Sequence, residues 1–154
     1  MPTSPTLDDA TIVERLPGMR LDHDSKWFYA AWLDRRLVAN RCGDCGNWSL
    51  PLRPRCPKCW SANVGIEELS GRGEVFLATY AHQRRAMAGE VPETAASATI
   101  ELAEQPGLRF SSDIVGCAKE DVRIGMPVEL EWVEVDGLPC PLFRPAGRDG
   151  AEGR

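Results

Sequence analysis

The chain has 154 residues, 18 lysines and arginines against 23 aspartates and glutamates, and a formal net charge of −5. That length suits one domain or two small modules with a core that needs no disulfides. The acidic balance disfavours a phosphate-backbone ligand, and no run of about 20 apolar residues is present to cross a membrane.

The opening MPTSPTLDDATIVERL lacks the basic flank and apolar run of a signal peptide, so a cytoplasmic location is expected. In a reducing compartment the six cysteines are expected as ligands or buried thiols. Residues 1–24 read as a Pro-rich, acidic N-terminal tail with short amphipathic content at most. Asp24 or Ser25 then caps a short helix in KWFYAAWLDR, where Trp27, Phe28, Ala31 and Trp32 fall on one stripe. Such an aromatic face either packs on its own chain or anchors a partner. Trp27, Phe28 and Trp32 are therefore candidate interface residues, with Tyr80 further along.

The stretch RCGDCGNWSLPLRPRCPKCW sets two C-x-x-C pairs ten residues apart. Each pair folds as a tight knuckle that turns both thiolates toward one ion, and two knuckles give a tetrahedral four-sulfur site at Cys42, Cys45, Cys56 and Cys59. Zinc suits that donor set, and iron of the rubredoxin type accepts the same ligands. Four cysteines leave no position for an activated water, so the metal is expected to be structural. Flanking segments 37–41 and 64–69 read as strands, making residues 25–68 a helix plus a rubredoxin-like zinc ribbon.

From residue 69 the pattern is β. SGRG is a turn, EVFLATYAHQ, TAASATIEL, LRFSSDIV and MPVELEWVEV are strands, and LPCPLFRP is an irregular last edge. CAKEDVRIG fits one helical turn between the third and fourth strands. The expected fold is mainly β, with a five-stranded OB-type barrel over residues 69–146 and a disordered tail at 147–154. In the second barrel strand Ala96, Ala98, Ile100 and Leu102 face inward and Ala95, Ser97 and Thr99 form a flat outer face. In the first, Val75, Leu77 and Ala81 stand opposite Phe76, Ala78 and Tyr80.

No catalytic residue is assigned. Histidine occurs only as His23 and His82, there is no G-x-S-x-G elbow or Walker-type loop, and Cys117 and Cys140 read as packed thiols. Ribbons and OB-folds also bind nucleic acid, a rival that the net charge and the scarcity of stacking aromatics argue against.

The motifs DSKWFYAAWLDRRLVANRCGDCG, LPLRPRCPKCW, SGRGEVF, GEVP, VGCAKEDVRIGMPVELEW and LFRP resemble, in that order, the DUF35 family, over about residues 25–146. The resemblance implies a zinc ribbon joined to an OB-fold in an acyl-CoA-associated accessory subunit. Its partners would be thiolase-superfamily proteins, among them synthases and aldolases that shorten steroid side chains, or MaoC-like enoyl-CoA hydratases. A coenzyme A thioester is then the expected ligand. The pair Arg84 and Arg85, following His82 into a Gly- and Ala-rich loop, offers forked hydrogen bonds to its phosphates. This loop departs from the usual family text, which places prolines after the histidine and an aromatic after GEVP.

Overall fold

The computed structural model describes residues 8–17, 19–80 and 96–147. Two short helices, α1 (Asp9–Arg15) and α2 (Ser25–Leu33), precede a small sheet of β1 (Val38–Cys42), β2 (Trp48–Ser49) and β3 (Val64–Glu68) in the order β2-β1-β3. The remaining strands are β4 (Arg72–Thr79), β5 (Ala96–Leu102), β6 (Arg109–Ile114), β7 (Pro127–Val135) and β8 (Leu138–Pro145). They close a barrel in the order β4-β5-β6-β8-β7, with a single 3₁₀ turn at Lys119–Asp121. The mainly β, five-stranded barrel expected from the sequence is thus present.

The segment read as an N-terminal tail contains α1. Asp8 caps it by accepting the Thr11 N–H at 2.8 Å, and Ile12 and Leu16, one turn apart, are buried with Ala30 and Leu33 of α2. Helix α2 is capped differently from expectation. The Asp24 side chain makes no cap hydrogen bond. Instead Asp22 Oδ1 accepts the N–H groups of Asp24 and Ser25 at 3.0 and 2.6 Å, while Ser25 Oγ accepts the Asp22 N–H at 3.0 Å.

One core serves ribbon and barrel. Leu37 and Ala39 are buried in the same cluster as Val75, Ile100, Ile114, Val128 and Phe143, and the Leu69 N–H donates to the Leu37 carbonyl at 2.8 Å. Gln105, in the turn after β5, acts as a polar clamp between the two. Its Oε1 accepts the Trp48 N–H at 2.9 Å and its Nε2 donates to the Trp48 carbonyl at 3.2 Å, like one residue of a neighbouring strand.

β5 alternates as expected, with Ala96, Ala98, Ile100 and Leu102 buried. β4 does not. Its pairing with β5 slips between Val75 and Leu77, so Val75 is fully buried while Phe76 and Leu77 are both about half exposed. An extra residue in one strand of a pair leaves consecutive side chains on the same face.

The last strand is also a correction, because LPCPLFRP is regular along its whole length. It pairs with β7 from Leu138 to Pro145. Pro139, Pro141 and Pro145 share one parity, and the carbonyls at 139, 141 and 143 point away from β7. They accept from Trp32 Nε1 at 2.5 Å, Ser112 Oγ at 2.5 Å and the Val115 N–H at 2.9 Å. The donors these prolines lack are therefore not needed by β7. Toward β6 the strand keeps a single parallel bridge, Ile114 to Phe143.

Candidate functional site

Two equivalent turns build the cysteine cluster. In the first, the Gly46 N–H donates to the Cys42 carbonyl and the Cys42 N–H to Asn47. In the second, Trp60 donates to Cys56 and Cys56 to Ser61, all four bonds at 2.9 Å. Each turn reverses on a left-handed residue, Gly46 at φ 71° and Trp60 at φ 62°. Asp44 ties the turns together by accepting from Ser61 Oγ at 2.5 Å and Asn63 Nδ2 at 2.7 Å. Gly43 lies so close to Asn63 that a Cβ there would sit 2.6 Å from its side-chain nitrogen.

The four Sγ atoms of Cys42, Cys45, Cys56 and Cys59 all lie within 4.8 Å of one another. Cys42 to Cys59 and Cys45 to Cys56 are each 3.6 Å. Zinc–sulfur bonds of about 2.3 Å at tetrahedral angles require sulfur separations of about 3.8 Å, so the donor set fits the ion. Burial raises the Cys56 thiol, but the N–H groups of Cys59 and Lys58 and the Cys45 and Cys59 thiols bring it down to about 7. Cys59 moves the other way, to about 12: the Ser61 N–H lowers it, and its Cys45, Cys42 and Cys56 neighbours together with burial raise it more. Four thiols this close cannot all ionise unless a cation replaces their protons.

The aromatic stripe of α2 lies on the chain's own barrel. Phe28 and Trp32 meet edge to face at 5.8 Å, Phe110 stands 6.5 Å from each, and Trp32 reaches Trp132 at 6.3 Å. Trp27 stacks under the Lys26 ammonium at 5.4 Å. Tyr80, 46% exposed, donates its hydroxyl to the Val122 carbonyl at 3.1 Å. His82, Arg84 and Arg85, expected to meet coenzyme A, and the tail from residue 148 lie outside the described residues. Cys140 is raised by burial and then by Asp136, which suits an unreactive thiol.

A feature the sequence reading missed is the exposed face around the bulge. Arg109 lies 3.5 Å from the centroid of Phe76 and bonds Glu101 at 3.2 Å. A groove of about 480 Å³ opens beside it, lined by Leu77, Thr99, Ser111, Trp32 and Leu142 among others. The signal available in sequence was the run of small hydroxyl residues in β5 and β6. Among the described residues no helix is long and apolar enough to cross a membrane.

The chain matches two family models that meet near residue 66: the ChsH2 rubredoxin-like zinc ribbon domain at residues 30–65 and the ChsH2 C-terminal OB-fold domain at residues 67–133. It is 37% identical over 131 residues to a probable enoyl-CoA hydratase alpha subunit of Thermomonospora curvata, covering 84% of this chain but only 40% of that protein. A DUF35 domain-containing scaffold protein of Methanocaldococcus jannaschii is 35% identical over 120 residues, covering 76% of this chain and 74% of the relative. Among solved structures, a chain of the Ltp2-ChsH2(DUF35) aldolase superposes with a TM-score of 0.71 at 37% identity, covering 83% of this chain and 98% of that one. A four-cysteine ribbon rooted in the core of a five-stranded OB barrel, matched domain by domain and in the same order, makes this chain a member of the DUF35 family.

Proposed function

We propose that this chain is a cytoplasmic, non-catalytic accessory subunit that binds acyl-CoA and completes a thiolase-superfamily enzyme acting on a CoA thioester. The observation that carries the reading is the likeness to the Ltp2-ChsH2(DUF35) aldolase, which spans nearly all of that solved DUF35 chain. Cys42, Cys45, Cys56 and Cys59 would hold a structural zinc ion that stabilises the ribbon. A saturated four-sulfur site would supply no Lewis acid and no bound water, so its role would be to fasten the turn that carries Cys42 and Cys45 to the turn that carries Cys56 and Cys59. The nucleophile and bases belong to the partner, and the phosphates of the ligand are assigned to His82, Arg84 and Arg85.

A second reading, partnership with a MaoC-like enoyl-CoA hydratase, is favoured by the relative described as a probable enoyl-CoA hydratase alpha subunit. Binding of single-stranded nucleic acid is the third. Co-expression with a thiolase-like and, separately, a MaoC-like protein from the same genome, followed by size exclusion, distinguishes them. The proposal expects a stable complex with the first and turnover only in that complex. A complex with the hydratase alone transfers the assignment to the second reading. Tight retention on single-stranded DNA with neither complex overturns both. Replacing Arg84 and Arg85 together by Ala is expected to weaken acyl-CoA binding about tenfold while leaving the complex intact.

A further inference from the structure

The groove runs over residues of β4, β5 and β6 to β8, and β6 and β8 share a single bridge, Ile114 to Phe143. Among its described lining residues there is no lysine, arginine or histidine. Its one carboxylate, Asp113, accepts from Ser97 Oγ at 2.7 Å. The hydroxyls of Thr79 and Ser112 are committed to the carbonyls of Ser97 and Pro141. Those of Thr99 and Ser111 have no hydrogen-bond partner among the described residues. These two residues are direct cross-strand neighbours, and such side chains stand about 5 Å apart. Leu77, Leu142 and Trp32 supply the apolar walls.

The lining selects by charge and by hydrogen bonding. A phosphate would find no cation among the described lining residues, and in the adjoining depression of about 430 Å³ it would meet Asp22 and Asp24 against one arginine, Arg109, which Glu101 already holds at 3.2 Å. A plain alkyl chain would strip water from two hydroxyls and give them nothing in return. An amide offers one N–H and one C=O, which two neighbouring hydroxyls accept and donate to, and the methylenes on either side meet the leucines. We propose that this groove holds the neutral, amide-bearing thioester arm of an acyl-CoA and excludes its phosphorylated nucleotide. The inference rests on the acyl-CoA reading above and adds the place on this chain where the arm lies.

The test titrates the isotope-labelled, zinc-loaded full chain with three probes: S-acetylpantetheine, which has the arm and no phosphate; adenosine 3′,5′-bisphosphate, which has phosphates and no arm; and acetyl-CoA. The arm compound and acetyl-CoA are expected to shift the resonances of Thr99, Ser111 and the Trp32 indole, and the bisphosphate to leave them in place. Thr99→Ala with Ser111→Ala should weaken binding of the arm compound about tenfold, the loss of two ordinary hydrogen bonds, without changing zinc content. Ser111→Trp, which fills the groove, should abolish it. Acetyl-CoA binding equally well to the wild type and to both variants would put the arm elsewhere while leaving the acyl-CoA reading intact. A wild-type chain that binds neither thioester overturns the groove assignment and the acyl-CoA reading together.

Discussion

The indole N–H of Trp32 donates to the carbonyl of Pro139, joining α2 to a barrel strand 107 residues further along the chain. The bond occupies a carbonyl that would otherwise face the gap left by β6. Trp32→Phe keeps a ring against Phe110 and Trp132 but removes that donor, and should cost about 1–3 kcal/mol. Trp32→Ala also removes the ring and should cost about 3–5 kcal/mol. Urea denaturation of both variants checks the order. Equal stability of wild type and Trp32→Phe would mean that water serves the Pro139 carbonyl as well as the indole does.

Gln105 clamps the ribbon to the barrel through both backbone groups of Trp48. Gln105→Glu keeps the shape and the acceptor for the Trp48 N–H but sets a carboxylate oxygen against the Trp48 carbonyl. A destabilisation of about 1–3 kcal/mol is expected at neutral pH, with part of it recovered in acid as the glutamate gains a proton to donate. Hydrogen exchange at the Trp48 amide reports the clamp directly, and unaltered protection in the variant would remove it from the account.

The cysteine ribbon and the inward face of β5 were legible because spacing and alternation are local signals: C-x-x-C needs only a tight turn, and Ala96 to Leu102 needs only a period of two. The β4 bulge was not. Nothing in EVFLAT says that β5 will slip by one residue opposite Phe76, since that is decided by how the barrel curves. β8 was read as irregular because of its prolines. A proline is harmful only where its missing N–H faces a partner strand, and that direction is fixed by the register with β7. The role of Asp22 was hidden because the helix is closed by a side chain two residues before its N-cap.

Trp60 and Gly46 occupy equivalent positions in the two knuckles, both with positive φ. A tryptophan in that region carries strain that glycine does not, and with 73% of its surface exposed it recovers little by packing. Trp60→Gly should therefore hold the zinc-loaded protein at least as stable as wild type, with a gain of up to about 1 kcal/mol once the greater chain entropy of glycine is counted. Gly46→Ala should destabilise it by about 1–2 kcal/mol. Thermal denaturation with metal analysis measures both. A clear loss of stability in Trp60→Gly would assign the tryptophan a packing role that its exposure does not suggest.

The sulfur geometry expects one zinc per chain, and Cys56→Ser should release it. Because Leu37 and Ala39 at the root of the ribbon are buried with Val75 and Phe143 in the barrel, removing the metal should lower the stability of the whole unit and not of the ribbon alone. Elemental analysis before and after chelation, with near-ultraviolet circular dichroism of the Trp32–Trp132 cluster, tests this. A visible thiolate-to-iron band would replace zinc by iron, and an unchanged aromatic signal after complete metal removal would show that ribbon and barrel unfold independently.

Helix α2 carries the aromatic stripe that covers the barrel seam, so its N-terminal closure bears on the groove. The Asp22 carboxyl is held below the ordinary carboxylate range, first by the Ser25 N–H, then by the Ser25 hydroxyl, with the Asp24 N–H and His23 adding to it against a small opposing effect of burial. In the unfolded chain the same carboxyl titrates near the usual value of about 4. The folded state therefore binds fewer protons than the unfolded one through that range. The stabilisation is fully present above the unfolded pKa and is lost as pH falls through the lowered folded value. Asp22→Asn should reduce this acid dependence while keeping an acceptor for the Ser25 N–H, and Asp22→Ala should remove both the dependence and the cap. Carboxyl resonances followed by NMR as the pH is lowered give the Asp22 midpoint directly. A midpoint at or above the ordinary range would show that the Ser25 hydrogen bonds do not favour the charged carboxylate in solution, and would leave α2 to be held by its packing, through Phe28 and Trp32 on the barrel and Ala30 and Leu33 on α1.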